Sequence, residues 1–322
     1  MSHVIGIDLG GSKIALGLVN PHDEIIARRR IDTESEAGLG SVIERIAFEI
    51  EALKASLQAG RRVDAVGIGA PGPVDHVSGD LLTLVNLPGI SNSPFRRALQ
   101  ERISLPVALD HDAKVAALGE FHFGAGLGRE SMIYIVIGTG VGAAIIYQGR
   151  LIYGESNSAG ESGHMTVDPN GHRCHCGSRG CLETYTSGPA LAKHYTAATG
   201  EAISGADVGD RALAGDEIAR ALLRAAGRAL GIAIASLAMT LNIELFVIGG
   251  GVVQAGDLLL ETARASLKDY SFPAVSARIQ VRASTIGEDA PILGAAWLAR
   301  QRLIGAVSDR ACEFSRPDGL SL

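Results

Sequence analysis

The stretch Val4-Ile5-Gly6-Ile7-Asp8-Leu9-Gly10-Gly11-Ser12-Lys13, followed by the apolar run Ile14 to Val19, reads as a strand, a tight turn and a second strand. The theme returns about 130 residues later, with Met132 to Ile137 apolar, Gly138-Thr139-Gly140-Val141-Gly142 turning, and Ala143 to Tyr147 apolar again. A strand–glycine turn–strand unit that occurs twice predicts an internal duplication, each half supplying one turn. If the halves face each other, the two turns converge on one ligand.

Outward from these hairpins the chain alternates. Ile25 to Ile31 and Val63 to Ala70 read as strands, Leu39 to Leu57 as a helix with Val42, Ile43, Ile46, Ile50 and Leu53 on one face. Val107 to Leu109 is a short strand, and a helix begins near Asp110. Ala212 to Leu241 has helical character, Ile243 to Ile248 is a strand running into Gly249-Gly250-Gly251, and Leu258 to Leu267, Arg278 to Ala283 and Ile292 to Leu303 read as helix, strand and helix. Strands alternating with helices predict an α/β layered fold. The tail from 306 to 322 is polar.

Backbone N–H groups of a glycine turn can point together at one anion, and the missing Cβ permits close approach. The turns at Asp8 to Lys13, Gly138 to Gly142 and Gly249 to Gly251 are therefore candidate phosphate sites. Asp8, at a strand end beside glycines, is suited to holding Mg²⁺, and Lys13 to offsetting phosphate charge. A P-loop needs a Gly-Lys pair, which the chain lacks. Gly67-x-Gly69-x-x-Gly72 has the spacing of a dinucleotide fingerprint, but Pro73, Asp75, Ser78 and Gly79 follow where that fold needs a helix N-terminus.

Three of the four cysteines lie in Cys174-His175-Cys176-Gly177-Ser178-Arg179-Gly180-Cys181, ten residues after His164. In a reducing compartment, clustered thiols and a nearby imidazole predict a structural Cys₃His zinc site of His164, Cys174, Cys176 and Cys181. His172 and His175 are competing ligands; Cys312 is remote.

With 322 residues, 47% of them apolar and 20% charged, the chain has ample material for a core of one or two domains. A net charge of −6 argues against a general nucleic-acid binder. The start MSHVIGIDLGG lacks the basic and apolar regions of a signal peptide, and the apolar stretch Ala229 to Leu241 is short for a bilayer. The expectation is a cytoplasmic protein with no membrane partner.

These residues resemble the ROK family of sugar kinases and related repressors. The resemblance runs from Asp8 to Trp297 and is most specific at Glu161-Ser162-Gly163-His164 and Cys174-x-Cys176-Gly177-x-x-Gly180-Cys181-x-Glu183. It implies an actin-like, hexokinase-like (ribonuclease H-like) duplicated fold, with two lobes around a central cleft. The lobes would be 1–112, completed by a helix over about 290–305, and 113–289 with the zinc loop. It also implies a homodimer, ATP and Mg²⁺ as cofactors, and a hexose as substrate. By the same resemblance, the turns carrying Asp8, Gly10, Gly11, Ser12 and Lys13 and carrying Gly138, Thr139 and Gly140 take the phosphates, while Gly250 and Gly251 lie near the adenosine. Asp112 would be the base. Gly72, Asn86, His111, Glu161, His164 and Glu183 would meet the sugar.

Two positions depart from the family pattern: His111 and Lys114 stand where asparagine is usual. The stretches His164 to Pro169 and Cys181 to Tyr185 look most like the family's glucokinases, with fructose, mannose, allose and N-acetylhexosamines as alternatives. Family repressors carry a helix-turn-helix domain before the kinase-like part, and a phosphate strand starting at Val4 leaves no room for one.

Overall fold

The structure, a computed structural model, describes residues 2–84, 87–255 and 257–305. Strands β1 (His3–Leu9), β2 (Lys13–Val19) and β3 (Ile25–Asp32) precede α1 (Gly38–Ala55) and β4 (Val63–Ala70). A small hairpin, β5 (Val74–Asp75) and β6 (Asp80–Leu81), leads to α2 (Phe95–Ile103), β7 (Val107–His111) and α3 (Asp112–Phe123). Then come β8 (Met132–Ile137), β9 (Val141–Tyr147), β10 (Arg150–Leu151), α4 (Glu183–Thr186), α5 (Gly188–Thr199), α6 (Gly205–Leu213) and α7 (Glu217–Leu241). Finally β11 (Leu245–Gly249), α8 (Leu258–Tyr270), α9 (Pro273–Ser276), β12 (Gln280–Ala283) and α10 (Asp289–Leu303) complete the described chain.

The chain divides into two compact units. One takes the described residues up to Val115 together with those from Pro291 onward; the other is Ala116–Ala290. Each contains a five-stranded sheet, in the order β3-β2-β1-β4-β7 and β10-β9-β8-β11-β12. In both, the first three strands pair antiparallel and the later two join in parallel. The duplication expected from the two glycine turns is thus written in the hydrogen-bond ladders. The hairpin β5–β6 follows β4 directly, so no helix N-terminus completes the Gly67-x-Gly69-x-x-Gly72 fingerprint.

In the first unit, Ile5, Ile7 and Leu9 of β1 and Ile14, Leu16 and Leu18 of β2 form a core with Val42, Ile46 and Ile50 of α1. Alternation sends Gly6 to the opposite face. A Cβ on Gly6 would strike the carbonyl oxygen of Ile292, and one on Gly67 that of Ala295, so both glycines exist to let α10 lie directly on the sheet. Gly67→Ala should therefore cost about 3 kcal/mol in urea unfolding through overpacking against backbone. Gly40→Ala, in α1 with open space around its Cβ, should instead gain about 0.5–1 kcal/mol from helix propensity.

In the second unit, α7 is the core helix. Leu223, Ala226, Leu230, Ala233 and Ile234 pack with Ile133, Ile135, Phe246 and Ile248 of the sheet. Gly227 and Gly231 admit α8, since added Cβ atoms would lie 2.6 Å from Leu259 O and 2.8 Å from Ala263 O. With 25 residues, α7 has the length and apolarity to cross a bilayer, yet 61% of its apolar stretch is buried within the fold.

The single helical segment expected over Ala212 to Leu241 is two helices. Gly215 takes φ 98°, and the Asp216 carboxylate accepts the N–H groups of Ile218 and Ala219 at 2.8 and 3.0 Å, capping α7. Helices α2, α4, α5 and α9, and α6 before Ala212, are additional to those read from periodicity. α6 carries a capping box between Ser204 and Asp207.

Candidate active site

In the first unit the pairing register aligns Asp8 of β1 with Gly69 of β4, and Gly69 with Asp110 of β7. Asp112 follows two residues later as the first residue of α3. Acidic groups from β1, β7 and the start of α3 thus gather at one sheet end, and helix N-termini favour negative charge. Asp110 is buried and accepts the His111 N–H at 2.7 Å. The Asp112 side chain is 43% exposed; its Oδ1 accepts the Ala113 N–H at 2.6 Å and lies 3.1 Å from His111 Nδ1. The His111 ring covers Gly72, where any Cβ would collide with it. Imidazole is therefore held between the Gly72 backbone and the Asp112 carboxylate.

Burial first, and then the negative charge of Asp112, raise Asp8 from 3.8 to about 6, against a smaller opposing pull from Arg30. Two like charges drawn together in this way form a site that a divalent cation would stabilise. A folded state that prefers neutral Asp8 loses stability when Asp8 ionises. The penalty is absent below the unfolded value, grows between about pH 4 and 6, and is complete above it. Asp8→Asn should accordingly be more stable than the parent by about 3 kcal/mol at pH 8 and nearly equal to it at pH 3, as metal-free proteins in urea. A difference independent of pH would contradict this origin.

The turn after β1 is closed by Gly10 N–H donating to Lys13 O at 2.9 Å. Thr33, fully buried, pins it: its hydroxyl donates to Gly10 O at 2.7 Å and its N–H to Ser12 O at 2.9 Å. Gly11 and Ser12 are exposed at its tip. Lys13 is paired with Asp32 at 2.7 Å, across β2 and β3, with both side chains more than half exposed. Asn86 lies outside the described residues.

In the second unit the turn between β8 and β9 has the matching closure, Gly138 N–H to Gly140 O at 2.9 Å. Gly138 O in turn accepts the Gly188 N–H from the start of α5 at 2.9 Å, and Thr139 is exposed at the tip. Gly250 takes φ 92° and sits so close to the Ile137 carbonyl that no side chain would fit, which places the third glycine turn against the second. Gly251 has open space at its Cβ position.

Four ligand atoms from His164, Cys174, Cys176 and Cys181 lie within 4.8 Å of one another. Cys174 Sγ is 3.6 Å from His164 Nδ1, and Cys176 Sγ is 3.6 Å from Cys181 Sγ. Tetrahedral zinc with its usual bond lengths spans edges of about 3.6 Å for S···N and about 3.8 Å for S···S. The donor set therefore fits the ion in both chemistry and spacing. The loop is shaped by Gly177 and Gly180 at φ 95° and 62°, and by Cys174 N–H donating to Ser178 O at 2.9 Å. Cys174 and Cys181 are buried, Cys176 exposed. Burial pushes the Cys181 thiol well up, whereas the Ser178 backbone N–H lowers Cys176.

A second group, His164, His175 and Glu183, also lies within 4.8 Å. His175 is 74% exposed, with Nδ1 3.2 Å from Glu183 Oε1. Glu161 is exposed, and its carbonyl accepts the His164 N–H at 3.1 Å. Glu183 does something that sequence reasoning did not foresee: its Oε2 accepts the Val141 N–H at 2.9 Å, fastening the glycine turn. Thr33 and Glu120 were also missed. Glu120 is fully buried, with Oε2 accepting the Ala125 N–H at 2.8 Å and Oε1 bonded to the Ser284 hydroxyl and the Ile286 N–H.

A sequence model of the ROK family matches residues 4–302. The glucokinase of Halalkalibacterium halodurans is 35% identical over 314 residues, which cover 92% of this chain and 95% of the relative. Among solved structures, a ROK hexokinase from Thermus thermophilus is 35% identical with a TM-score of 0.81, over 94% of this chain and 99% of that one. A ROK family glucokinase from Streptomyces griseus, solved in complex with glucose and AMPPNP, is 34% identical with a TM-score of 0.76, over 93% and 100%. With the duplicated actin-like, hexokinase-like sheets already in place, the chain belongs to the ROK family.

Proposed function

We propose that this protein is a glucokinase-like hexose kinase that transfers the γ-phosphoryl group of ATP to the 6-hydroxyl of its sugar. The observation that supports it most is the pair of carboxylates at one sheet end, Asp8 on β1 and Asp112 at the start of α3, close enough for one charge to raise the other's pKa. The glucokinase relatives support the choice of glucose within the hexoses.

Phosphoryl transfer asks for alignment, charge neutralisation and a base. Asp112 takes the proton of the sugar hydroxyl. That oxygen forms a bond to the γ-phosphorus as the bond from phosphorus to the β-bridging oxygen breaks, and ADP leaves. His111, on the Gly72 backbone, holds Asp112 and donates to a sugar hydroxyl; Asn86, Glu161 and His164 complete the sugar contacts. Gly10 to Ser12 and Gly138 to Gly140 offer backbone N–H groups to the phosphates, with Gly250 and Gly251 toward the adenosine. Asp8 would hold Mg²⁺, which supplies charge neutralisation on the phosphates. His164, Cys174, Cys176 and Cys181 would hold zinc, which fixes the loop and with it His164.

The gathered free thiols suit a reducing, cytoplasmic setting, and the homodimer and the absence of nucleic-acid or membrane partners belong to the same reading. A coupled assay of ADP release across glucose, mannose, fructose, allose and N-acetylhexosamines tests it. Glucose should give the highest kcat/KM, and absence of hexose-stimulated ADP release would refute the kinase.

Because an imidazole and an amide differ in reach and protonation, His111 is a candidate determinant of sugar choice. His111→Asn should shift the kcat/KM ratio between glucose and its epimers by about tenfold while retaining turnover. An unchanged ratio would leave His111 a steric replacement only.

A further inference from the structure

We infer that Glu183 is a positioning residue that transmits the state of the zinc loop to the glycine turn between β8 and β9. The inference rests on the proposed reading of that turn as a phosphate site. The relay is short and lies within one compact unit. Cys181 is a candidate zinc ligand, and Glu183 follows two residues later as the first residue of α4. One carboxylate oxygen, Oε2, accepts the Val141 N–H at 2.9 Å. The other, Oε1, faces His175 Nδ1 at 3.2 Å, and His175 lies between Cys174 and Cys176 in the chain.

The carboxylate is well shielded, at 14% exposure, so a charge-assisted bond to a backbone N–H there is strong. It also fills the space beside Gly140: a Cβ on Gly140 would lie 2.8 Å from Oε2. Among the described residues the turn has a second external hydrogen bond, from the Gly188 N–H to Gly138 O, and Gly188 opens α5 directly after α4. Both supports of the turn therefore come from the segment that leaves the cysteine loop. When the loop is held by its ion, α4 and Glu183 are held, and the Val141 and Gly138 ends of the turn are set for a phosphate. When it is not, Glu183 loses its anchored base, and the turn loses one of its external bonds.

The consequence is that metal occupancy governs nucleotide affinity as well as sugar contacts. The test is AMPPNP binding by calorimetry in the absence of sugar, with hydrogen exchange of the Val141 amide and metal analysis on the same samples. Glu183→Ala should retain zinc, weaken AMPPNP about five- to tenfold and raise exchange at Val141. Glu183→Gln, which keeps an acceptor oxygen, should recover part of both. Chelator-stripped parent protein should show the same weakening, and stripping Glu183→Ala should add little, because both changes cut one path. Should the stripped parent unfold, Glu183→Ala with full zinc still decides the matter. Unchanged AMPPNP affinity and Val141 protection in that variant would overturn the inference, as they would if Glu183 served the sugar alone. A parent protein that binds no AMPPNP would instead overturn the kinase reading beneath it.

Discussion

Asp112→Asn should lower kcat for hexose phosphorylation by about three orders of magnitude, the range expected for loss of a general base, while leaving sugar affinity within a few-fold. The split follows from geometry. Asparagine is isosteric and can still receive the Ala113 N–H that Asp112 Oδ1 receives at 2.6 Å, so the start of α3 and the His111 ring stay in place. It cannot accept a proton. The same change removes the charge that, after burial, raises Asp8 from 3.8 to about 6. The pKa of Asp8 in Asp112→Asn should therefore move back toward the ordinary carboxylate value, a shift readable by NMR titration of the metal-free protein. Loss of turnover with a parallel loss of sugar binding would point to collapse of the site; near-normal turnover would remove Asp112 from the chemistry.

The second large effect concerns the cysteine loop. Cys176→Ser should abolish zinc retention and lower the melting temperature by about 5–10 °C, with a loss of several kcal/mol in a fold of this size. Cys176 is the exposed member of the set, so substituting serine disturbs packing less than it would at buried Cys174 or Cys181. Its cost then reports the ion and not a cavity. Glucose KM should rise at least tenfold, since His164 belongs to the same donor set. A variant with unaltered melting temperature and KM, or a parent protein without zinc by metal analysis, would make the cluster a set of plain thiols.

What could be read from sequence was chiefly local. The cysteine cluster is legible because three ligands fall within eight residues and the fourth ten before them. β4 is legible because the apolar run Val63 to Ala70 follows the charged Arg61-Arg62 and stops at Pro71-Gly72-Pro73. The twin hairpins are legible because each is one continuous stretch, and their repeat foretold the matching sheet orders. The start of α7 was legible in principle, through Gly215 and the capping Asp216, but the apolar periodicity across Ala212 to Leu241 hid it.

The rest depends on partners far along the chain. Nothing near Gly6 or Gly67 announces that α10, more than 200 residues away, needs their missing side chains. Thr33 is an ordinary polar residue until its hydroxyl meets Gly10 O, 23 positions earlier. Glu120 looks like a helix-surface charge in the run Leu118-Gly119-Glu120-Phe121; the Ala125 N–H and the distant Ser284 to Ile286 segment together account for its burial. Glu183 was expected to face sugar; its bond to Val141, 42 residues away, gives it a second task.

The most direct measurement is ³¹P NMR of the reaction of the purified protein with glucose, ATP and Mg²⁺. The account predicts stoichiometric ADP and glucose 6-phosphate, formed by the parent and not detectably by Asp112→Asn on the same timescale. Inorganic phosphate in place of the sugar ester, an ester at another hydroxyl, or equal product from the variant would contradict it.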